Sequence, residues 1–459
     1  MRGTPAILSA SILLGVASVA AMGQTAANQP VVQPATQPLA QAVAPENLPT
    51  EWIDPSTGHR IVRLSREDGS ASLYFHQNAY TTEGDLIIIS TPEGLAALNL
   101  KDRSIKLVAP GVRYGMRMSS GVEVGRKTRS VYYEKPGTIG TIIYATQLDT
   151  QSTRIVAKLP FFGDFGGVNA DETLLFGDYT IGGNGRRGAT SRSAQNSSAA
   201  TMPSATLPGG GGRRGGGGGG GGGMKQFFTV NIRTGEINTF FPTTDNLNHT
   251  QCSPIDPTLA LYCHEGNWAQ VDRIWTIHLD GTGNKLMHQR TMPNEIAGHE
   301  FFGFDGKTIW YDLQTPESGE FWLAGVNSDT GKRIRYPLQR SEWSVHYNQS
   351  HDGKLFSGDG GGPNSVAART PDGQRLDPPG NGQWLYLFTP RNSGDTTLKV
   401  GEDDVTIGHF DVEKLVNLSR QDYTLEPNST FSPDNKWIIF RSNMLGPMHV
   451  FAVEIARAK

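Results

Sequence analysis

The chain has 459 residues, a formal net charge of −3 at pH 7 and 37% hydrophobic residues. This length is enough for one large domain or two ordinary ones with a full hydrophobic core. The nearly neutral charge argues against nucleic acid as the main partner, because phosphate binding needs a basic surface. With only two cysteines, the chain has neither a disulfide scaffold nor a cysteine-rich zinc site.

The N-terminus has the pattern of a secretory signal peptide. Arg2 supplies positive charge, residues 6–21 form an apolar run, and Ala21-Met22-Gly23 is an acceptable cleavage site. We expect residues 1–23 to be removed and the protein to be periplasmic or secreted, without membrane attachment afterwards. An uncleaved N-terminal anchor is the alternative. Residues 24–49 are rich in Gln, Ala, Pro and Thr, which predicts a disordered spacer.

A second interruption of the folded pattern is rich in glycine. It runs from residue 182 to about residue 224 and ends in nine consecutive glycines, Gly215 to Gly223. Such a segment buries almost no apolar area, so we expect a disordered insertion at a loop tip. Arg186, Arg187 and Arg213 are among its basic residues, and attraction of an anionic polymer is therefore the functional alternative.

The rest of residues 50–459 reads as short β-strands separated by turns. Runs such as Leu86–Ser90 and Trp437–Phe440 alternate with turn signals such as Asp305-Gly306. The strands recur in units of roughly 40 to 55 residues, a period typical of a β-propeller blade. Seven units begin near Tyr74, Gly121, Phe162, His249, His299, His346 and Phe431.

We therefore predict an all-β fold, a seven-bladed β-propeller. His59–Leu64 would add the outer strand of the C-terminal blade, so that an N-terminal strand closes the ring. A stacked pair of β-sandwiches is the alternative architecture. Cys252 and Cys263 are expected on neighbouring strands, either joined as a disulfide or present as buried thiols.

The histidines are concentrated in one part of the chain. Seven of the eleven lie between His249 and His351. His249, His299 and His346 each precede the first strand of a predicted unit, and in a propeller these segments converge on the central channel. Histidine serves both as a base near neutral pH and as a metal ligand. The sequence therefore predicts a pocket lined by three imidazoles.

Several motifs together resemble one enzyme family. They are Tyr262-Cys-His-Glu-Gly266, Asp272-Arg-Ile-Trp275, Gly298-His-Glu-Phe-Phe302, Gly358-Asp-Gly360 and Phe431-Ser-Pro-Asp-Asn435. This set is similar to the oligogalacturonate lyases, polysaccharide lyase family 22. The resemblance implies a seven-bladed propeller that cleaves short uronate oligosaccharides by β-elimination, assisted by a divalent metal that is usually manganese.

The resemblance also implies roles for individual residues. His299 corresponds to the catalytic base, Arg273 to an essential arginine and His346 to a metal-binding histidine. In the last blade the family has Gln-x-x-His-x-His, and Glu426 and Asn428 stand here where the two histidines are expected. A site of His346, Glu426 and Asn428 would favour a hard cation such as manganese, calcium or magnesium.

The chemistry of a uronate lyase agrees with these residue types. The base removes a proton α to a carboxylate, and a cationic group must offset the negative charge that develops. His299 is suited to the first task and Arg273 to the second. His249, His264 and His76 are further candidates for binding the substrate.

A different function also agrees with the sequence. The chain could be a non-catalytic periplasmic propeller of the TolB kind that binds proteins or sugars, and the missing histidine pair favours this alternative. The sequence does not fix the oligomeric state, the uronate linkage or the metal.

Overall fold

The computed structural model describes residues 48–112, 114, 121–183, 223–377, 383–391 and 396–458. The chain divides into two compact units, residues 1–41 and 42–459, and every described residue belongs to the second. The predicted signal peptide, most of the predicted spacer and residues 184–222 of the predicted insertion lie outside these ranges. Within them, no helix is long and apolar enough to cross a membrane.

The described residues form 31 strands in seven sheets, together with two short 3-10 turns at Arg340–Glu342 and Val366–Ala368. An N-terminal ribbon consists of β1 (Glu51–Ile53) and β2 (His59–Arg63). Blade 1 contains β3 (Ala71–Ser72), β4 (Leu86–Thr91), β5 (Gly94–Asn99) and β6 (Ile105–Pro110). Blade 2 contains β7 (Val122–Val124), β8 (Ser130–Pro136), β9 (Thr141–Gln147) and β10 (Thr153–Lys158). Blade 3 contains β11 (Gly163–Val168), β12 (Leu174–Thr180), β13 (Lys225–Asn231) and β14 (Ile237–Thr243).

The remaining strands complete the ring. Blade 4 contains β15 (Asn246–Cys252), β16 (Leu259–Glu265), β17 (Ile274–His278) and β18 (Lys285–Leu286). Blade 5 contains β19 (Ile296–Phe302), β20 (Thr308–Thr315), β21 (Glu320–Asn327) and β22 (Arg333–Leu338). Blade 6 contains β23 (Tyr347–Gln349), β24 (Phe356–Gly358), β25 (Trp384–Arg391) and β28 (His409–Asn417). Blade 7 contains β29 (Thr430–Phe431), β30 (Trp437–Ser442) and β31 (His449–Arg457). A hairpin of β26 (Thr397–Val400) and β27 (Asp403–Ile407) lies between β25 and β28 in the chain.

The seven-bladed architecture and its closure are confirmed. The strand order of blade 7 is β1-β2-β31-β30-β29, so the N-terminal ribbon completes the sheet that the C-terminal strands begin. Ile61 pairs with Val453 in antiparallel register, and both side chains are buried. The alternative of two stacked sandwiches is wrong, because the strands form seven separate sheets of four to six strands each.

Short polar turns join the strands within each blade. Asp305 shows the pattern: its Oδ1 accepts hydrogen bonds from the backbone N–H groups of Lys307 and Thr308 at 2.9 and 2.8 Å. Gly306, between them, has a φ of 69°, a left-handed conformation that glycine adopts without steric cost. The Asp305-Gly306 pair is therefore a turn from the innermost strand of blade 5, β19, to the next strand, β20.

The core lies between the faces of adjacent blades. Ile143 of blade 2 packs in one cluster with Phe165 and Phe228 of blade 3, and all three are fully buried. Burying such a side chain contributes roughly 1.5–3 kcal/mol. Because each blade has this contact on both sides, the ring holds the innermost strands at fixed positions around the channel.

The position of the β26–β27 hairpin was not predicted, and the state of the two cysteines had two predicted alternatives. The hairpin β26–β27 leaves blade 6 and pairs in parallel with β22 at the outer edge of blade 5, an exchange that no sequence pattern indicated. Cys252 and Cys263 are both buried and free. They lie opposite Ala260 and Asn248 in the pairing of β15 with β16, so they do not face each other and the disulfide alternative is not realised.

Candidate active site

The candidate residues gather where the innermost strands begin. His249 and His299 lie on β15 and β19, His346 immediately precedes β23, and Tyr74 and His76 follow β3. The rings of Tyr74 and His346 are 5.1 Å apart, and those of His346 and His299 are 4.9 Å apart. The predicted convergence of histidines from successive blades is therefore seen.

The innermost strands of blades 4 and 5 share one irregularity. Pairing with the next strand changes register around His249-Thr250 in blade 4 and around His299-Glu300 in blade 5. The first residue of each β-bulge has a positive φ, 50° at His249 and 51° at His299. This conformation is uncommon for a residue other than glycine and costs of order 1–3 kcal/mol. Bulges redirect side chains at functional sites, and these two bulges carry the two histidines.

His346 is held by a carboxylate. Its Nδ1 lies 2.9 Å from Oδ2 of Asp359, and its backbone N–H donates to Oδ1 of the same residue at 2.9 Å. Its Nε2 lies 3.2 Å from the hydroxyl of Tyr74. Both ring nitrogens therefore have partners, and Asp359 fixes the orientation of the ring.

His299 has a different environment. Its Nδ1 is buried and has no hydrogen-bond partner among the described residues. Burial lowers the pKa of His299 well below its usual range, and His346, His249 and Arg273 lower it further. The ring is therefore neutral around pH 7, and a neutral imidazole without a hydrogen-bonding carboxylate can accept a proton.

Arg273 lies behind this ring at the start of β17. Its side chain is 1% exposed, and its Nη1 and Nη2 lie 2.7 and 3.3 Å from the two carboxylate oxygens of Glu265. The guanidinium stacks on Trp268 at 4.1 Å, and Trp268 contacts His299 with ring centres 5.1 Å apart. Both terminal nitrogens of Arg273 are thus already engaged by Glu265, whereas Nε has no partner within the described chain.

His249 lies beside a second buried carboxylate. Its Nδ1 is 3.8 Å from Oε1 of Glu300, and the Glu300 side chain is fully buried with neither oxygen hydrogen-bonded by any described nitrogen or oxygen. Burial raises the pKa of the Cys263 thiol, and the Glu300 carboxylate raises it further. Glu300 follows His299 in the chain and reaches back to blade 4.

His76 lies deeper in the channel. Its ring is 4.9 Å from Tyr74 and 5.9 Å from His249, and neither ring nitrogen has a partner in the described residues. Burial lowers the pKa of His76 well below its usual range, and His249 and His346 add to this. It also lines a cavity of about 70 Å³ with Gln251 and His351. A larger cavity, of about 280 Å³ beside β2 and β30, contains none of the candidate residues.

His264 is at the margin of the cluster. Its Nε2 lies 3.4 Å from Oδ1 of Asp245, and its side chain is 27% exposed. Its backbone N–H donates to the carbonyl of Arg273 at 2.8 Å. It is accessible to a bound oligosaccharide but makes no ring contact with the other histidines.

The predicted metal ligands do not assemble. Glu426 has a carboxylate oxygen 3.9 Å from Nε2 of His346, but that nitrogen is hydrogen-bonded to Tyr74. Asn428 accepts the backbone N–H of Phe75 on its Oδ1 at 3.1 Å and donates from Nδ2 to the carbonyl of Glu426. Over the described ranges, no three His, Cys, Asp or Glu side chains are placed to hold a metal ion. The trio of His346, Glu426 and Asn428 therefore does not fit a divalent cation in this arrangement.

Four residues of the cluster were not predicted as site residues: Tyr74, Glu300, Asp359 and Trp268. Glu300 and Asp359 lie within the motifs Gly298-His-Glu and Gly358-Asp-Gly360. Both could have been recognised from the sequence, because each is an acidic residue within a quoted motif and has a candidate histidine close by in the chain. Tyr74 and Trp268 have no such signal, because contacts between distant blades define them.

Comparison with known proteins agrees with this architecture. The family model of oligogalacturonate lyase matches residues 223–458, slightly more than half of the chain. An oligogalacturonide lyase of Pectobacterium atrosepticum is 26% identical over 231 residues, which are 49% of this chain and 54% of that protein. An oligogalacturonate lyase of Dickeya dadantii is 25% identical over 227 residues, with the same coverage of 49% and 54%. The chain therefore matches about half the length of these curated relatives.

Solved structures extend the likeness of fold to nearly the whole chain. An oligogalacturonate lyase in complex with manganese superposes with a TM-score of 0.64 at 18% identity, covering 88% of this chain and 96% of the other. An oligogalacturonate lyase from Vibrio parahaemolyticus gives 0.65 at 17% identity, with the same coverage. With a family match over residues 223–458 and the seven-bladed fold, the chain belongs to the oligogalacturonate lyase family.

Proposed function

We propose that this protein is a polysaccharide lyase that cleaves oligogalacturonate, or a related uronate oligosaccharide, by β-elimination. The observation that carries the proposal is His299: a partly buried imidazole on a strained bulge, whose buried Nδ1 has no partner in the described structure. Its position beside Arg273 and Trp268 places a fixed positive charge and an aromatic face next to the base. These are the groups that proton abstraction beside a carboxylate requires.

In this reaction the base acts on the C5–H bond. His299 takes the C5 proton, the electron pair forms the C4–C5 double bond, and the C4–oxygen bond breaks. Arg273 opposes the negative charge that develops on the uronate carboxylate. Because Glu265 already binds both terminal nitrogens of Arg273, this stabilisation acts through the electrostatic field of the guanidinium, without a bidentate contact to the substrate.

Additional histidines line the path of the sugar. His249 and His76 lie next to Tyr74 at the centre of the cluster, and His264 lies at the margin. We place the reacting uronate against His249 and His299, and the next sugar toward His264. One structurally similar oligogalacturonate lyase is a manganese complex, whereas His346, Glu426 and Asn428 do not form a cation site in the arrangement described here.

The test is the formation of the unsaturated product. Purified protein is incubated with di- and trigalacturonate, and ultraviolet absorbance of the 4,5-unsaturated uronate is followed with manganese, with calcium and with chelator. We expect product, and a loss of about 100-fold or more in kcat for His299→Ala, since general-base catalysis contributes typically 10²- to 10⁴-fold. The exposed His409 supplies the control, and His409→Ala should retain full activity.

Other results would change the assignment. Product from mannuronate or glucuronate oligomers, but not from galacturonate, would support the β-elimination reaction with a different uronate as the substrate. Binding of these sugars without product from any of them would replace the lyase by a sugar-binding propeller. More than about a tenth of wild-type activity in His299→Ala would remove His299 as the base.

The substrate is proposed to be met outside the cytoplasm. The apolar run at residues 6–21 and the site Ala21-Met22-Gly23 support export and cleavage. Fractionation of expressing cells, with N-terminal sequencing of the extracellular or periplasmic protein, should give a chain that begins near Gln24. Recovery of the intact N-terminus in the cytoplasm would contradict this.

A further inference from the structure

The proposed elimination needs a second proton-transfer group. In a galacturonate the C5 hydrogen and the C4 oxygen lie on opposite faces of the sugar ring. The imidazole that removes the proton therefore cannot also protonate the leaving oxygen. A sugar oxygen is a poor leaving group as an anion, and a positioned acid accelerates such a step by about 10²- to 10⁴-fold. With His299 as the base, the acid must come from another strand.

One carboxylate near the site has no role so far. Glu300 is fully buried, and neither carboxylate oxygen is hydrogen-bonded by a nitrogen or oxygen in the described structure. An ionised carboxylate in this position is costly unless a positive charge lies close. The Nδ1 atom of His249, which can carry a proton, lies 3.8 Å from Oε1 of Glu300. The pair is therefore stabilised when His249 carries a proton.

The two bulge histidines differ in one respect: a carboxylate lies close to His249, and none is among the groups that shift the pKa of His299. Burial lowers the pKa of His299 well below its usual range, and its other neighbours, His346, His249 and Arg273, all lower it further. Burial also lowers the pKa of His249, and Arg273 and His346 lower it too, but Glu300 and Glu265 oppose this, so that it falls less far than the pKa of His299. Two titratable groups whose surroundings separate their proton affinities are the usual arrangement of a base and an acid.

We propose that His249, paired with Glu300, is the general acid that protonates the leaving oxygen. This inference rests on the proposed function. The bulge conformation shared by His249 and His299 presents both rings to the channel from neighbouring blades. Tyr74, whose ring is 5.7 Å from that of His249, packs beside the acid, and Glu300 on the base-bearing strand supplies its counter-charge.

Every proton that moves in the elimination is accounted for. His299 gains the C5 proton as the C4–C5 double bond forms and the C4–oxygen bond breaks. The leaving oxygen takes the proton of His249, which leaves His249 neutral beside the Glu300 carboxylate. Solvent returns a proton to His249 and removes one from His299, so no other reactant is consumed.

The decisive comparison uses two leaving groups. One substrate is trigalacturonate; the other is a methyl galacturonoside with 4-nitrophenoxide at C4, which departs without protonation. His249→Gln should lose about 100-fold in kcat on trigalacturonate and less than about 5-fold on the aryl substrate. Glu300→Gln should lose about tenfold on the first only, which corresponds to about 1.4 kcal/mol. His299→Gln should be inactive on both.

A pH profile separates catalysis from structural support. The groups that face His249 are Glu300 on β19, Glu265 on β16, Arg273 next to β17, His346, His76 and Tyr74. Removing the negative charge of Glu300 destabilises the imidazolium, so the alkaline limb of kcat/KM should move to lower pH in Glu300→Gln. A purely structural effect would lower the rate and leave this limb in place.

The control is Glu123→Gln, another buried carboxylate. Glu123 lies on β7, where it accepts the backbone N–H groups of Asn78 and Val168, and its replacement should leave the ratio of the two rates at the wild-type value. Two results would overturn the inference. One is that His249→Gln and Glu300→Gln lose as much activity on the aryl substrate as on trigalacturonate. The other is that only Tyr74→Phe loses activity on trigalacturonate while keeping it on the aryl substrate. Wild-type protein that turns over neither substrate would refute the proposed function instead.

Discussion

At the scale of single residues, three partly buried histidines, His76, His249 and His299, differ in what surrounds them. No carboxylate is among the groups that shift the pKa of His76 or His299, and burial lowers the pKa of each well below its usual range. His249 has a carboxylate 3.8 Å away that opposes the same burial. Their chemical roles follow from these neighbours, because the residue type is identical in all three.

The first prediction concerns the acid limb of the pH profile. A lowered pKa keeps His299 neutral as the pH falls, so the base is lost only when the pH drops through that lowered value. We expect the acid limb of kcat/KM to lie clearly below the usual histidine value of about 6.5. Measurement of kcat/KM across pH 4 to 8 tests this, and an acid limb at or above 6.5 would contradict the environment described for His299.

The second prediction concerns Tyr74 and metal affinity. The Tyr74 hydroxyl is hydrogen-bonded to Nε2 of His346 at 3.2 Å, with Glu426 3.9 Å from the same nitrogen. Tyr74→Phe frees this nitrogen and should raise the affinity for manganese by about tenfold or more, because imidazole and carboxylate both ligate it. Electron paramagnetic resonance of free manganese gives the affinity. His346→Ala in the same background should abolish the gain, and an unchanged affinity would show that Tyr74 does not compete with the ion.

At the scale of elements, the sequence predicted which strands carry the histidines but not how the side chains are aimed. The prediction that each of His249, His299 and His346 precedes the first strand of a blade is correct for His346, whereas His249 and His299 lie within β15 and β19. The three blades themselves were predicted because the period of the strands is visible in the chain. The bulges are not visible, since a positive φ at a histidine has no residue signature comparable to glycine. The pairing of Arg273 with Glu265 and the engagement of Asn428 by Phe75 also depend on tertiary contacts, which the sequence does not show. The role of His346, Glu426 and Asn428 as metal ligands stays a prediction.

A third prediction tests the packing of β19 against the turn between β16 and β17. A Cβ at Gly298 would lie 2.5 Å from a ring atom of Trp268, so Gly298→Ala must displace the indole that stacks on Arg273. We expect kcat to fall by about tenfold or more, by analogy with other misplaced positioning groups, with little change in melting temperature. The double variant with Trp268→Ala should be no worse than Trp268→Ala alone. Additive losses would show that Gly298 acts through another contact.

At the scale of the whole molecule, stability depends on closing the ring. The ribbon of β1 and β2 completes blade 7 through β31, so the sheet of the last blade is built from both ends of the domain. The seven units and this closure were predicted from the strand period and from His59–Leu64. The strand exchange of β26–β27 with blade 5 was not, because a parallel pairing between distant edges leaves no pattern in either segment.

A fourth prediction compares two isoleucines of this ribbon. Ile61 on β2 is 1% exposed within the core of blade 7, whereas Ile53 on β1 is 46% exposed. Ile61→Ala should lower the free energy of unfolding by about 2–5 kcal/mol, since it removes buried methyl groups and leaves a cavity. Ile53→Ala should change it by less than about 0.5 kcal/mol. Urea denaturation followed by fluorescence gives both values, and equal effects would mean that β2 does not anchor the ring.

The left-handed backbone at the mouth of the channel has an evolutionary consequence. Asn428 in blade 7 has a φ of 52°, close to the 50° and 51° of His249 and His299. The conformation that presents a histidine in blades 4 and 5 is therefore already present in blade 7 with an amide side chain. Asn and His codons differ by one base, and the exchange needs no movement of the main chain. Descendants of one ancestral ring can thus gain or lose an imidazole by point mutation and so diversify their chemistry while the scaffold persists.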